Sequence, residues 1–417
     1  MHDEVGPAER PRSVLYMRLA SGVITYVVTT TIVLVGISAG ISLLAPSTYS
    51  SCPRLVPSSD NKYVDTLTLW DGEWYLAIAT DGYSYDPTGE SNVAFFPVYP
   101  ALVEILHRIT RLPIRLAGLF VSHAFLVGAL GLLMIYSESR AANTRPGLVP
   151  YVVLACVLFP TSFFMRMAYT ESLFLFTSLL VFIGLARKWP LPVIAVIVGT
   201  ATGIRSVGVA LLLPFAHHIW EQSRSWRQAS VRLVCVTPLA LWGLLDYIAF
   251  QWWSFGEPFA FARTQRFWSL RPPVEFAEFC SALVSCEPIW SVYVPGKPGY
   301  WGAFDRGLPV FLSYQAANPA LFVLAIVLVC IGAAKRWLSG RELVFAAALL
   351  AIPYVMVGFR FCMASQGRFI SVVFPIYIVL GHLLCRMPTL LAVATLALSG
   401  IYLAVFCAML AAGYFIV

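Results

Sequence analysis

The chain has 417 residues, of which 59% are hydrophobic and only 12% charged, with a mean hydropathy of +0.77. Soluble domains carry about 25% charged residues, so this composition excludes a soluble globular protein. The formal net charge of +7 comes without a basic polar face. That excludes nucleic acid as a partner and fits basic loops retained in the cytoplasm.

The N-terminus, Met1 to Arg18, is polar and carries Arg10, Arg12 and Arg18. The apolar stretch from about Ala20 to Ala45 exceeds a signal-peptide core and is expected to be an uncleaved first span. Further apolar segments follow at about 114–136, 148–165, 169–187, 191–216, 231–253, 311–334, 343–359, 369–385 and 389–416. Each approaches spanning length. Short basic linkers surround Arg140/Arg145, Arg187/Lys188, Arg224/Arg227/Arg232, Lys335/Arg336/Arg341 and Arg386. By the positive-inside rule these face the cytoplasm with the N-terminus. Two long linkers, 46–113 and 254–310, then fall outside. Both flanks of 191–216 are assigned inside, which predicts two short or re-entrant helices meeting near Arg205; irregular backbone at membrane depth is tolerated where it lines a cavity. The expected fold is an all-α polytopic membrane protein, one domain over 1–417, with about 10–11 crossings.

The long loops are rich in Trp, Tyr, Phe and Pro, unlike disordered segments. Trp70, Trp74, Ala77 and Ile78 share a helical face, and 94–110 reads as an apolar helix lying on the membrane surface. Most of the nine cysteines lie in apolar runs as small hydrophobes. Cys280 and Cys286 share a polar loop, where a disulfide is open if that loop is extracytoplasmic. The histidines form no metal pattern, and no phosphate-binding glycine loop or Ser-His-Asp signature occurs.

Five constellations carry candidate chemistry. Asp71 opens the helix after Leu69-Trp70. The macrodipole alone favours an acid there, but Trp70, Trp74 and Tyr75 enclose it as aromatic platforms enclose a sugar. Such a carboxylate can act as general base. Phe95-Phe96-Pro97-Val98-Tyr99-Pro100 reads as a structural corner. Arg166 and Tyr169-Thr170-Glu171-Ser172 sit at the junction of two spans; Glu171 is either a helix-terminal acid or an expensive functional one. Arg205 lies deep in apolar sequence, with Glu171 or a lipid phosphate as partner. Arg368, after Gln366-Gly367, either snorkels or grips a phosphate bidentately. Asp71, Glu73 and Asp81 have the oxygens for a hard divalent ion, yet solvated loop acids are the favoured reading and no cofactor is expected.

The run Trp70-Asp71-Gly72-x-Trp74-Tyr75-x-x-Ile78-Ala79-x-x-Gly82-Tyr83, followed by Ala94-Phe95-Phe96-Pro97-x-Tyr99-Pro100, resembles the PIG-V family of mannosyltransferases. Eukaryotic members of that family add the second mannose to glycosylphosphatidylinositol anchors. Phe159-Pro160-Thr161 through Tyr169-Thr170-Glu171-Ser172-Leu173-Phe174 is similar to a second family block, and Arg205-Ser206-x-Gly208 to a third. Phe255-Gly256-Glu257-Pro258-x-Ala260-Phe261 with Gln265 and Trp268 resembles a fourth, and Arg368-Phe369 to Phe374-Pro375 a fifth. Two features depart from the eukaryotic pattern: Leu69 stands where Arg is usual, and Ser91 to Pro97 is worded like bacterial or archaeal members.

The resemblance implies a GT-C glycosyltransferase with its catalytic acid, Asp71, in the first extracytoplasmic loop. It also implies a polyprenyl-phosphate sugar donor, typically phosphomannose, and a glycolipid, glycan or protein acceptor. The substrate-binding candidates are Trp70, Glu73, Trp74, Tyr75, Asp81, Tyr83, Phe96, Tyr99, Arg166, Tyr169, Glu171, Arg205, Gln265, Trp268, Gln366 and Arg368. The expected reaction is an inverting transfer, with the leaving phosphate offset by Arg368 and by Arg205 or Arg166. The membrane is the plasma membrane in a prokaryote or the endoplasmic reticulum in a eukaryote. Two alternatives stand beside it: a GT-C enzyme using another sugar, and a lipid or solute transporter with Glu171 and Arg205 as gating charges.

Overall fold

All ten apolar segments form helices. The computed structural model describes residues 12–45, 54–141, 147–305 and 307–414, with no strand among them. Arg10 and Arg145 lie outside the described residues, as do the side chains of Arg12 and Arg18. In chain order the helices are α1 (Arg12–Leu43), α2 (Lys62–Thr66), α3 (Asp71–Asp81), α4 (Val98–Thr110), α5 (Ile114–Ala141), α6 (Leu148–Val157), α7 (Glu171–Ala186), α8 (Leu191–Ile204), α9 (Leu212–Glu221) and α10 (Trp226–Ala240). There follow α11 (Trp242–Phe255), α12 (Ala260–Arg263), α13 (Phe276–Val284), α14 (Glu287–Trp290), α15 (Trp301–Phe304), α16 (Tyr314–Ala334), α17 (Gly340–Pro353), α18 (Gln366–Ile370), α19 (Phe374–Leu384) and α20 (Thr389–Ala411).

Only five of these helices are long and apolar enough to span a membrane unbroken: those in 22–43, 114–140, 314–334, 340–358 and 389–411. The expectation of ten near-spanning segments is corrected here, because the others are either short, as α7 is, or interrupted by their own sequence. Pro238 lies inside α10 and removes an amide donor; α10 and α11 meet at 51°. α8 stops at Ile204 because Arg205 is extended (φ −155°, ψ 151°), and a 3₁₀ turn over Ser206–Leu211 leads into α9. This is the break foreseen at Arg205. α6 ends before Phe159-Pro160 and α19 begins at Phe374-Pro375, where proline suits a first turn. Arg205 itself lies at one of these breaks, between α8 and the 3₁₀ turn that leads into α9.

α1 packs along α20, α5 along α7, α6 against α19, and α8 against α10 and α11. Gly36 and Gly40 let α1 lie directly on α20. A Cβ at either would come within 2.4 Å of the Ala404 carbonyl or 2.1 Å of the Ala408 carbonyl. Small residues four apart are a common device for close helix contact in lipid, where apolar burial gives no drive.

The first loop folds as α2, α3 and α4, of which α3 and α4 are the two helices read from its pattern. The second carries α12 to α15, and Cys280 and Cys286 are free thiols there. That loop is tied instead by Arg271, which forks onto Glu287 at 2.7 and 3.1 Å and donates to Ser291 at 3.2 Å. The two loops also join each other, through Ser91 N–H to Thr264 Oγ1 at 3.2 Å and Arg266 to the Pro87 carbonyl at 2.8 Å.

Candidate active site

Asp71 is placed by a strained turn. Trp70 adopts φ 58° and ψ −122°, a conformation that costs a non-glycine residue on the order of 1–3 kcal/mol. It is held from the 166–171 segment: the Tyr169 hydroxyl donates to the Leu69 carbonyl at 3.1 Å and accepts from Asp71 N–H at 3.2 Å. Ala168 N–H donates to the Leu67 carbonyl at 2.9 Å. One tyrosine therefore fixes both sides of the turn.

Arg368 is presented by an equally unusual loop. Cys362, Met363 and Ser365 all have positive φ, and Gly367 then passes through a space that admits no side chain. A Cβ there would lie 2.7 Å from Thr161 Cγ2 and 3.1 Å from Asn318 Oδ1. Those residues bond its backbone, with Asn318 Oδ1 accepting Gly367 N–H at 2.8 Å and Thr161 donating to its carbonyl at 2.7 Å.

The result is a chain of four charges from four parts of the sequence. Asp71 Oδ2 pairs with Arg368 Nη1, Arg368 Nε pairs with Glu171 Oε1, and Arg205 Nη1 donates to that same oxygen at 2.8 Å. The Arg368 guanidinium also lies 4.4 Å from the Tyr169 ring centre, and that of Arg205 5.2 Å from Phe369. Two acids against two arginines leave the set formally neutral, and each buried charge has a partner, as burial requires. Side-chain exposure rises from 0% at Glu171 through 6% at Arg368 to 22% at Asp71. Asp71 is the more exposed of the two carboxylates.

Over residues 13–249, more than half of its length, the sequence matches the mannosyltransferase (PIG-V) family. The chain belongs to this family. It is 31% identical over 173 residues to the GPI alpha-1,6-mannosyltransferase 2 of Cricetulus griseus, and 31% identical over 176 residues to that of Homo sapiens. Each alignment covers 38% of this chain and 34% of the relative, about a third of those proteins' length. Among solved structures, the Archaeoglobus fulgidus oligosaccharyltransferase in the apo form superposes with a TM-score of 0.45 at 14% identity, covering 93% of this chain and 56% of that one. The family match contains Asp71, Glu171 and Arg205 and ends before Arg368, so the fourth charge comes from a part of this PIG-V chain beyond the match.

The fold gathers some of the remaining candidates and disperses others. Tyr75 stands beside the charges, and burial pushes its phenol up to about 12, leaving it a neutral hydroxyl at neutral pH. Trp74 and Trp268 meet edge to face at 6.1 Å across the two loops. Glu73, two residues from Asp71, points the other way. It is 1% exposed, pairs with Arg115 at 2.8 Å, and accepts from Leu55 and Val56 N–H at 3.1 and 3.2 Å. Its role is to pin the start of the loop. Asp81 is exposed at the far end of α3, about 15 Å away at 1.5 Å per residue. The three loop acids thus do not converge, and among the described residues no three His, Cys, Asp or Glu side chains could share a metal.

Arg166, expected beside the leaving phosphate, turns into the bundle instead. It is fully buried and donates to Thr29 Oγ1 at 2.6 Å, Thr30 Oγ1 at 3.1 Å and the Ser162 carbonyl at 3.3 Å. The 3₁₀ turn over Ser162–Arg166 aims it at α1. Tyr99 is buried on Gly118 and Ser122, Tyr83 donates to the Phe95 carbonyl at 2.8 Å, and Phe96 packs on Tyr247 and Phe261. Gln366 is buried and donates to the Pro353 carbonyl at 3.3 Å. These four are engaged within the fold, and none of these contacts is to the charged chain. Gln265 is partly exposed and the fold gives it no contact with the charged chain. The residues that sequence reasoning missed are Arg115, Asn318 and Thr161, which position others. A charged or amide residue at the start of an apolar helix was the available signal for Arg115 and Asn318.

Proposed function

We propose that this chain transfers a hexose, mannose by its family, from a polyprenyl-phosphate donor to an acceptor hydroxyl at the extracytoplasmic membrane face, with inversion. The observation that carries the reading is the Asp71–Arg368–Glu171–Arg205 chain, in which the most exposed acid is paired to the arginine best placed for a phosphate. Asp71 accepts the proton of the acceptor hydroxyl as that oxygen attacks the anomeric carbon. The bond from that carbon to the phosphate oxygen breaks, and the electron pair leaves on the phosphate. Arg368, backed by Arg205, stabilises the charge that develops there.

Without substrate, Arg368 neutralises Asp71. A donor phosphate offers Arg368 a second anion and draws the guanidinium from Asp71, leaving the carboxylate free when the donor is in place. Glu171 stays behind as the fixed counter-charge. The donor is a phosphodiester and the group that leaves is a phosphate monoester, whose developing charge the arginines offset, so no second acid is required. The acceptor is a glycolipid, glycan or protein.

The test is mannose transfer by the purified chain from polyprenyl-phosphomannose, beside Asp71→Asn. General-base catalysis contributes about 10²–10⁴-fold, and the variant is expected to lose that much turnover while retaining thermal stability and donor binding. Transfer at the wild-type rate by Asp71→Asn would end the general-base assignment. Movement of substrate without consumption of donor would favour a transporter with Glu171 and Arg205 as gating charges.

A further inference from the structure

The start of α16 holds the loop that presents Arg368. Gln315 Nε2 donates to the Cys362 carbonyl at 2.8 Å, and Asn318 Oδ1 accepts Gly367 N–H at 2.8 Å. The loop is thus fastened at its beginning and at its end. Tyr314 opens the same helix and is only 1% exposed, yet its hydroxyl has no hydrogen-bond partner among the described residues.

Packing explains the ring but not the hydroxyl. The ring stands edge-on to Phe406 at 5.3 Å and tilted to Phe164 at 6.3 Å, contacts that a phenylalanine would make equally well. A buried polar atom without a partner is rare in folded proteins, because it gives up its hydration for nothing in return.

The hydroxyl is aimed at the backbone that carries the reactive arginine. It lies 3.3 Å from the point a Cβ on Gly367 would occupy, and Arg368 is the next residue. The Phe164 ring neighbours both side chains, with its centre 6.0 Å from the Arg368 guanidinium. Arg368 itself has a donor to spare. Its Nε is taken by Glu171 and its Nη1 by Asp71, while Nη2 has no acceptor among the described residues. A phenol O–H and a guanidinium N–H therefore flank the Gly367–Arg368 unit without an acceptor from the fold. Donors of this kind suit an anion with several oxygens, and charge-assisted bonds to such an anion are the strong ones.

We propose that the Tyr314 hydroxyl is a second phosphate-binding group, donating to a non-bridging oxygen of the lipid phosphate that Arg368 grips through Nη2. The identity of the anion is taken from the transfer reaction proposed above, whereas its binding does not require that transfer occurs. In that reaction the hydroxyl donates a hydrogen bond and gives up no proton. The bond strengthens as negative charge gathers on the phosphate oxygens while the anomeric bond breaks.

The test uses the full-length chain in nanodiscs and two probes, undecaprenyl monophosphate and undecaprenol, which share a tail and differ by the phosphate. Affinity is read by microscale thermophoresis. Wild type is expected to prefer the phosphate, and Tyr314→Phe to lose about tenfold in phosphate affinity with its undecaprenol affinity unchanged. The thermal stability of Tyr314→Phe should equal or exceed that of wild type, because phenylalanine keeps the packing and removes an unsatisfied hydroxyl. Phosphate binding by Tyr314→Phe at the wild-type affinity overturns the proposal, as does a wild type without preference for the phosphate. A loss shared equally by both probes, or a fall in stability, marks a packing role and overturns it too. If phosphate binding depends on Tyr314 but wild type transfers no mannose, the transfer reading fails and this inference stands. If wild type and Tyr314→Phe bind the phosphate and transfer mannose equally, the reverse holds.

Discussion

Glu171→Gln is the substitution that most sharply tests the charged chain. Glu171 is 0% exposed, and its Oε1 receives both Arg205 and Arg368. Glutamine keeps the shape and an acceptor oxygen but removes the charge that offsets two buried guanidinium groups. Arg368 retains Asp71, whereas Arg205 has no other acid among its ion pairs in the described residues. Breaking a buried pair from one side costs about 3–5 kcal/mol, because the orphaned charge stays desolvated. That is a large share of the roughly 5–15 kcal/mol that keeps a typical protein folded. The assay is reversible unfolding in mixed micelles for wild type, Glu171→Gln, Arg205→Met and the double variant. The double variant is expected to be less destabilised than the sum of the singles, with a coupling energy of about 1–3 kcal/mol. A loss below about 1 kcal/mol in Glu171→Gln, with no coupling to Arg205, would refute the buried ion network.

Other outcomes follow from the same geometry. Arg368→Lys keeps the charge but cannot reach Asp71 and Glu171 together, since an ammonium lacks the planar fork; transfer is expected to fall about 10²-fold in steady-state assays, with a raised KM for the donor. Gly367→Ala places a Cβ against Thr161 and Asn318, and thermal unfolding should report about 1–3 kcal/mol of overpacking together with reduced transfer. The pH dependence of stability should carry the mark of Asp65. Burial raises the Asp65 carboxyl, but Ser59 N–H at 2.8 Å, the Ser59 hydroxyl, Arg115 and Arg54 outweigh it and hold the group below its usual range. Its contribution is therefore full above the unfolded value near 3.9 and is lost as pH falls through the lower folded value. Asp65→Asn should be less stable than wild type at pH 6, and the gap should narrow as pH falls below about 4, measured by thermal unfolding across that range.

Much of this was legible along the chain because the relevant physics is local. Apolar run length marks membrane segments regardless of tertiary context, so all ten helical segments were readable. Polar breaks such as Arg205 and prolines such as Pro238 say where a helix must bend. The aromatic-acid run from Trp70 to Tyr75 marked the candidate base, and the family resemblance rested on the same residues. What the sequence by itself determined was therefore a helical membrane protein with two structured long loops and a short set of charged residues too costly to be incidental. It did not determine how those charges pair. Glu73 and Asp71 are two positions apart on one helix, so they point in different directions, and only the position of Arg115 made Glu73 structural. Arg166 ends a 3₁₀ turn and Glu171, five residues on, opens α7, and the extended backbone at Met167 between them sent the arginine to α1 and the acid to Arg205. Arg368, 297 residues from Asp71, reached it because a left-handed loop and Gly367 allowed the backbones to close. Pairing depends on direction in space, which residue spacing encodes only within one helix; between helices the tertiary structure alone decided it.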